Sequence, residues 1–271
     1  MIKKSIDSVP LLFFKNLSKN REIKHFVSTR IGGFSNQPYH SLNLGFHTGD
    51  NPAAVLKNRK QLALMLGVPL HNFVTAKQVH GSQIRIITRG SRGQGAFDYD
   101  TATPLTDAMV TDVTNIVLMV LQADCVPVLL FDARRKVIGI IHAGWKGTVK
   151  KISKDTILVL KEKFGCLPAD ILAGIGPSIG PCCYEIGPEI IAEISNVFYL
   201  KSKCRNQNTA SGKNFFDLWK ANKMQLMEAG VPEENIETAG ICTYCNHHLF
   251  FSHRNCTTGT GRFGAGIMLR D

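Results

Sequence analysis

The chain has 271 residues, of which 44% are hydrophobic and 20% are charged, and its formal net charge is +11. This composition is typical of globular proteins, and the length is sufficient for one large domain or two small ones. No apolar run approaches the roughly 18 residues that a membrane-spanning helix needs, so we expect no membrane association.

The N-terminal segment and the cysteines favour a cytoplasmic protein. Lys3 and Lys4 precede only a short apolar run, without the long apolar segment and small-residue cleavage site of a signal peptide. Eight cysteines are too few for a disulfide scaffold in a chain of this length, so we expect reduced thiols. Reduced thiols in the cytoplasm favour metal binding or catalysis.

The positive charges are scattered along the chain and are not interleaved with aromatic residues as in nucleic-acid-binding modules. A basic surface attracts phosphate-bearing partners. We interpret most of these charges as a solvated surface and expect no nucleic acid as a partner. A non-enzymatic basic binding module is the alternative.

The first third of the chain alternates between strand-like and helical patterns. Residues 23–29 have the composition of a strand. A helix is predicted to begin at Pro52 and to stop at Gly67, because apolar residues recur at helical spacing between them. Residues 73–79 and 83–88 are predicted strands on either side of the turn at His80.

The middle of the chain is the most strand-rich part. Residues 116–122, 126–131 and 137–141 are short apolar runs that are typical of buried strands. A long helix is predicted at residues 146–164, ended by Gly165. The remaining predicted elements are a strand at 171–175, helices at 188–200 and 216–229, and closing strands at 236–241 and 265–269.

These elements predict an α+β fold, that is, a mixed-sheet α/β arrangement. Strands and helices are mixed without the regular βαβ alternation of a doubly wound fold. The sequence contains no internal repeat and no low-complexity linker, so we expect a single domain over residues 1–271.

Three short motifs each place a metal-ligating side chain at the end of an apolar strand. They are Gln78-Val79-His80-Gly81, Ala123-Asp124-Cys125 and His142-Ala143-Gly144-Trp145. Two imidazoles and one thiolate suit zinc, and three protein ligands leave the fourth position for water or substrate, as in catalytic sites. The motifs lack zinc-finger spacing. The alternative is therefore that each His ends a strand and that Cys125 is a small buried hydrophobic residue.

Several further motifs resemble one known family in their order along the chain. The motifs are QVHG, ADCVPVLLFD, HAGWKGT, GIGPSIGPCCYEIG, CTYC with LFFSHR, and TGTGR. In this order they resemble the YfiH family, whose members are also called laccase-domain or polyphenol-oxidase-like proteins. The resemblance runs from about His25 to the C-terminus.

The resemblance implies a fold and an activity. The implied fold is a four-layer α/β/β/α arrangement similar to the catalytic domain of the cytotoxic necrotizing factor toxins. The implied activity is that of a zinc-dependent purine nucleoside phosphorylase that cleaves adenosine, inosine and S-methyl-5'-thioadenosine with phosphate, accompanied by adenosine deamination. The family's zinc site carries over onto His80, Cys125 and His142.

Copper is the second metal that two His and one Cys could hold. A multicopper oxidase needs many histidines in His-x-His pairs, whereas this chain has nine histidines and no such pair. A copper-dependent polyphenol oxidase therefore ranks below zinc chemistry. A cysteine hydrolase, with Cys125 as nucleophile and His80 or His142 as base, is a further alternative.

Candidate residues for substrate and proton transfer follow from their places beside the three motifs. Asp124 is a candidate acid or base, or an orienting group, and alternatively a strand-end cap. Arg59 and Lys146 are candidates for phosphate, with solvated surface charge as the alternative. Asn43 and Gln78 could hydrogen-bond the sugar or the base. Purine nucleosides and phosphate are the expected partners, and a monomer is favoured.

A second cluster of metal-ligating residues lies near the C-terminus. Its members are Cys242, Cys245, His247, His248, His253 and Cys256. A single Cys-x-x-Cys with nearby His suggests a second zinc site, although structural zinc usually has two such pairs. Cys182 and Cys183 are chain neighbours and cannot form an unstrained disulfide with each other. We expect their loop, with Tyr184 and Glu185, to form one wall of the substrate pocket.

Overall fold

Two large sheets, packed face to face, organise the molecule. The computed structural model describes residues 1–6, 9–197, 204–207 and 212–271. The strands in the described part of the chain are β1 (Ile2–Ile6), β2 (Val9–Phe13), β3 (Ile23–Ser28), β4 (Phe73–Val74), β5 (Ile84–Ile86), β6 (Ala108–Thr111), β7 (Val117–Gln122), β8 (Val126–Asp132), β9 (Val137–Ala143), β10 (Ile171–Ile175), β11 (Glu185–Ile186), β12 (Arg205–Gln207), β13 (Asn214–Phe216), β14 (Ile236–Thr238) and β15 (Phe263–Leu269). The α-helices there are α1 (Lys15–Ser18), α2 (Pro52–Leu66), α3 (Trp145–Val149), α4 (Ile152–Phe164), α5 (Pro188–Ser195) and α6 (Leu218–Glu228).

Each large sheet has six strands and mixes parallel with antiparallel pairs. The first sheet has the order β1-β2-β3-β15-β7-β4, in which only β4 and β7 pair in parallel. The second sheet has the order β14-β10-β8-β9-β6-β5, with parallel pairs at its two edges. A small antiparallel sheet, β11-β13-β12, lies outside them.

Three apolar clusters separate four layers. The cluster between the two sheets contains Leu118, Val120, Leu129, Ile138 and Ile140, so alternate residues of β7, β8 and β9 face the partner sheet. A second cluster joins α2 to the outer face of the first sheet, and a third joins α4 and α6 to the outer face of the second sheet. The result is a single mixed α+β domain with α/β/β/α layers. The likeness to the toxin domain stays a prediction.

The helix α2 forms as the sequence predicts. The side chain of Asn51 caps it by accepting a hydrogen bond from the N–H of Ala53 at 2.9 Å, and Pro52 occupies the first turn. Gly67 ends it with φ +59, a left-handed conformation that glycine adopts without a Cβ clash. Leu62 and Ala63 bury the inner face against the first sheet.

The predicted helix at residues 146–164 is wrong in one respect, because it is broken into α3 and α4. Lys151, between them, has φ +63. The carbonyl of Thr148 accepts a hydrogen bond at 2.6 Å from the side chain of Gln225 in α6, and another from the N–H of Lys151. This side-chain contact takes the place of the next helical hydrogen bond, and no glycine or proline signals it in the sequence.

Several predicted strands are shorter than expected, and six strands of the described part of the chain are not predicted. After Val74 the chain leaves the sheet, because Thr75 and Lys77 pair with the loop around Thr103 instead of with β7. The strands that the sequence does not predict are β1, β2, β6, β11, β12 and β13. The predicted helix at 188–200 is observed as α5, which ends at Ser195; residues 198–200 lie outside the described residues. In the described part of the chain, no helix is long and apolar enough to cross a bilayer.

Candidate active site

The three side chains of the proposed metal site meet at one end of the sheet pair. His80 lies in the loop between β4 and β5, Cys125 in the turn between β7 and β8, and His142 near the end of β9. Their ligand atoms all lie within 4.8 Å of one another. The rings of His80 and His142 meet edge to face with centroids 4.9 Å apart. Fold topology therefore brings together the three residues that the motifs single out.

Asp107, just before β6, ties two of the ligand segments together. Its Oδ1 accepts a hydrogen bond from Nδ1 of His142 at 2.9 Å. The carboxylate also accepts from the backbone N–H groups of Val79, His80 and Gly81 at 3.3, 3.0 and 2.7 Å. Because Asp107 holds the proton on Nδ1, Nε2 of His142 is the ring atom left for a metal.

A glycine is required where the ligand segments approach. A Cβ on Gly144 would lie 3.0 Å from Cδ2 of His80 and 3.2 Å from Sγ of Cys125. These distances are shorter than ordinary carbon contacts. Gly144 thus lets the backbone after β9 pass directly beside two of the three ligands, which explains why the HAGW motif contains glycine at this position.

The electrostatics of the site favour a thiolate beside a charged imidazole. Burial alone would raise the pKa of the Cys125 thiol, but the charges and hydrogen bonds of His142 and His80 lower it to about 6. Burial alone would lower the pKa of His142, but Cys125 and Asp107 raise it to about 9. The pKa of Asp107, which burial would raise, is lowered by His142 and the backbone N–H groups.

The donor set fits zinc. Zinc bonds nitrogen and sulfur at about 2.0–2.3 Å in tetrahedral geometry. The three ligand atoms, all within 4.8 Å of one another, are near enough to share one ion. Two imidazoles and one thiolate form an open set with one position left over.

A cavity of about 430 Å³ adjoins the three ligands. Its size lies within the range of about 300–1,000 Å³ that is usual for small-molecule sites. Its lining includes apolar and aromatic residues as well as cationic and polar ones. The residues that line it, besides the three ligands, are His47, Gln78, Leu121, Gln122, Ala123, Asp124, Trp145, Ile179, Tyr184, Ile190, Leu218, His253, Arg254 and Arg262.

Gln78 and Asp124 line this cavity, but their polar groups also bind the protein itself. The amide of Gln78 donates to the carbonyl of Leu121 at 2.7 Å and accepts from its N–H at 2.8 Å. The carboxylate of Asp124 accepts from the hydroxyl of Thr243 at 2.6 Å and from the N–H of Arg254 at 2.7 Å. Asp124 has φ +85, so these contacts hold a strained turn immediately before Cys125.

Asn43 and Arg59, which the sequence suggested for substrate contact, lie outside the residues that line the cavity. Both are buried. Asn43 accepts from the N–H of Arg262 at 2.8 Å and therefore supports a residue that does line it. The guanidinium of Arg59 donates to the carbonyls of Leu44, Gly95 and Ala96. Both side chains thus hold loops together.

Lys146 is exposed on α3, with Nζ 5.5 Å from the ring of Trp145, and does not line the cavity. The cations that do line it are Arg254 and Arg262, and sequence reasoning assigned them no role. The sequence could have pointed to both arginines, because Arg254 ends the LFFSHR motif and Arg262 ends the TGTGR motif. His47 and Asp107 stand in no such motif, so only the fold reveals them.

Two cavity residues differ in charge. Burial, followed by the charges of Arg262 and Arg59, lowers the pKa of His47 to about 4, so its imidazole is neutral at pH 7. Burial also lowers the pKa of Arg262, yet a guanidinium stays charged at neutral pH. The cavity lining therefore combines fixed positive charge with a neutral hydrogen-bonding ring.

The chain resembles known proteins over nearly its whole length. Residues 24–270 match the sequence model of the family described as multi-copper polyphenol oxidoreductase laccase. The chain belongs to this family. A solved structure, that of the hypothetical protein YfiH of Bacillus licheniformis, superposes with a TM-score of 0.93 and 38% identity over 99% of both chains.

Curated relatives in the family carry two enzyme names. The protein named purine nucleoside phosphorylase YlmD, from Geobacillus stearothermophilus, is 38% identical over 90% of this chain and 89% of its own length. The protein named adenosine deaminase RL5, from an unidentified prokaryote, is 34% identical over 90% of this chain and 93% of its own length. Both names are those of enzymes that act on purine nucleosides.

Proposed function

We propose that the chain is a zinc-dependent purine nucleoside phosphorylase with accompanying adenosine deaminase activity. The observation that carries the proposal is the open set of two His and one Cys beside a cavity of about 430 Å³ whose lining includes both apolar and cationic residues. The names of the relatives support the substrate class. The proposed substrates are adenosine, inosine and S-methyl-5'-thioadenosine. The proposed location is the cytoplasm.

The metal would contribute Lewis-acid chemistry at the position that the protein ligands leave open. The residues of the chain prepare this position. Asp107 fixes the proton on Nδ1 of His142, which keeps Nε2 available, and Gly144 allows Cys125 and His80 to approach. Asp124, whose carboxylate is held by Thr243 and Arg254, is proposed as a positioning residue for Cys125.

We propose that the two arginines of the cavity bind the phosphate and that its apolar and aromatic lining residues bind the purine. Arg254 and Arg262 provide fixed positive charge, and guanidinium groups match the oxygens of phosphate. Trp145, Tyr184 and Ile179 provide apolar and aromatic surface for a flat base. The neutral ring of His47 adds a hydrogen-bonding group without adding charge.

The test combines metal analysis with product analysis. The purified protein is incubated with each nucleoside, with and without phosphate, and the release of free base and of inosine is measured by chromatography. We expect phosphate-dependent release of base and slow deamination of adenosine, both lost on chelation and restored by zinc. Full activity in a protein shown to be free of metal would refute the proposal.

The phosphate assignment has its own test. We expect Arg262→Ala to raise the KM for phosphate by about 10- to 100-fold, because a hydrogen bond to a charged group contributes about 1.5–3 kcal/mol. The bound zinc should be unchanged, since Arg262 is not a ligand. Arg134→Ala is the control, because Arg134 lies far from the cavity beside Asp170. An unchanged KM for phosphate in Arg262→Ala would exclude Arg262.

A cysteine hydrolase is the second candidate, and one observation favours it. His142 lies between Cys125 and Asp107 and hydrogen-bonds both, as the imidazole does in a triad of thiolate, imidazole and carboxylate. The pKa of Cys125 is lowered to about 6. In such an enzyme His80 is not part of the triad. Cys125→Ser abolishes activity under both hypotheses. The His80→Ala substitution and chelation together distinguish the two hypotheses. A zinc-dependent enzyme loses its activity under both treatments, whereas a cysteine hydrolase that uses His142 retains it.

A further inference from the structure

A second group of potential metal ligands lies outside the active site, and it consists only of cysteines. The sulfur atoms of Cys182, Cys183, Cys242 and Cys245 all lie within 4.8 Å of one another. The histidines that the sequence suggested as partners, His247, His248 and His253, are not members of this group. The second Cys pair comes instead from the loop after β10, which is distant in the sequence.

The spacing of the sulfur atoms agrees with four-thiolate coordination. Sγ of Cys245 lies 3.4 Å from Sγ of Cys183 and 3.8 Å from Sγ of Cys182. Four sulfurs bonded to zinc at about 2.3 Å in a tetrahedron lie about 3.8 Å apart. A disulfide requires about 2.05 Å, and all four cysteines are free.

The structure assigns to Cys182, Cys183, Cys242 and Cys245 a structural zinc site that is separate from the three-ligand active site. Four thiols close the coordination shell, which distinguishes this site from the open catalytic set. Zinc displaces the thiol protons to solvent, and no oxidation is involved. Cys182 and Cys245 are exposed, so the ion can enter from solvent.

The backbone around the cluster is arranged to hold a charged sulfur. The N–H of Gly180 donates to Sγ of Cys242 at 3.2 Å. The two loops also bind each other, because the N–H of Ser178 donates to the carbonyl of Ile241 and the N–H of Thr243 donates to the carbonyl of Ser178. The cysteines thus face one another across a junction that is already formed by main-chain hydrogen bonds.

Zinc bound between these two loops would also affect the active site. The first loop carries Ile179 and Tyr184, which line the cavity, and the second carries Thr243, whose hydroxyl holds Asp124 beside Cys125. A metal that fastens the two loops would fix one wall of the cavity and the turn that presents a catalytic ligand. The site is therefore structural, and its ligands do not contact substrate.

The experiment isolates the four-cysteine site by removing the active-site ligands. The full chain with His80→Ala and Cys125→Ser is purified without chelators, and its zinc is measured by elemental analysis. We expect one zinc per chain in this variant, and X-ray absorption should show four sulfur neighbours at about 2.3 Å. Adding Cys245→Ser or Cys182→Ser should remove this zinc, whereas adding Cys256→Ser should retain it.

Several results would overturn the assignment of zinc to the four cysteines. A folded His80→Ala/Cys125→Ser protein that contains no zinc overturns it, and so does a thiol count showing a disulfide among the four cysteines. Iron in place of zinc would also contradict it. Circular dichroism identifies variants that do not fold; if Cys245→Ser is one of them, the exposed Cys182→Ser provides the same comparison.

Discussion

Asp107 is the residue that makes one site out of separate ligand segments. It receives hydrogen bonds from His142 and from three consecutive backbone N–H groups at residues 79–81. A carboxylate behind a metal-binding imidazole fixes the tautomer and raises the basicity of the ring. Asp107 would therefore act on a metal at this site through His142, without being a ligand itself.

Asp107→Asn should weaken zinc binding by about 10- to 100-fold, the usual effect of losing such a carboxylate partner. Competition with a chromophoric chelator measures the affinity. Asp132→Asn is a matched control, because Asp132 is also buried and accepts two backbone N–H groups at the far end of β8. Equal zinc affinities in wild type and Asp107→Asn would contradict the role.

Zinc affinity should fall as the pH falls. In the metal-free protein the pKa of His142 is raised to about 9 and that of Cys125 is lowered to about 6, so at pH 7 His142 carries a proton that zinc must displace. We expect the apparent affinity of this site to fall about tenfold per pH unit between pH 9 and 6, and more steeply below 6. Titrations in His80→Ala/Cys125→Ser supply the background from any other site.

The sequence predicts the three candidate metal ligands, which the structure brings together, but not their supporting residues. His80, Cys125 and His142 stand in motifs beside apolar strands, which is why the resemblance could carry them over. Asp107 precedes a short strand with no motif, and its partners lie 26 to 35 positions away in the chain. Such partners are fixed by tertiary structure, which local patterns do not encode.

The ends of the helices are the elements that local sequence determines best. Gly67 and Gly165 were predicted to end helices, and both have left-handed backbone conformations at those positions. The same reasoning does not reveal the break before α4, because the hydrogen bond from Gln225 that causes it comes from another helix. The apolar runs predict the buried strands β7, β8 and β9, but not the buried strands β2 and β6 or β1, which carries exposed lysines.

Gly67→Ala should destabilise the fold by about 1 kcal/mol. An added Cβ there meets only Nζ of Lys24 at 3.7 Å, so the cost is the left-handed backbone and not a clash. Chemical denaturation measures the free energy of unfolding. Gly90→Ala is the control, because its Cβ would have ordinary contacts and its φ is not positive. A stability loss as large in Gly90→Ala would show that the backbone conformation is not the cause.

At the scale of the whole molecule, zinc should stabilise the folded chain. A ligand at about 100 times its Kd that binds only the native state adds about 2.7 kcal/mol to the free energy of unfolding. We therefore expect chelation to lower the melting temperature of the wild type measured by calorimetry. Cys125→Ser, which lacks one ligand of the active site, should show a smaller shift. Identical shifts in both proteins would exclude the three-ligand site as a source of stability.

The turn that contains Cys125 joins β7 of the first sheet to β8 of the second. His142 belongs to the second sheet, and His80 follows β4 of the first, so the three ligands assemble only after the two sheets dock. A metal held by them cannot assist the earlier steps of folding. Bound metal should leave the rate of refolding unchanged and slow the rate of unfolding. The native state of the metal-bound protein should therefore have a longer lifetime.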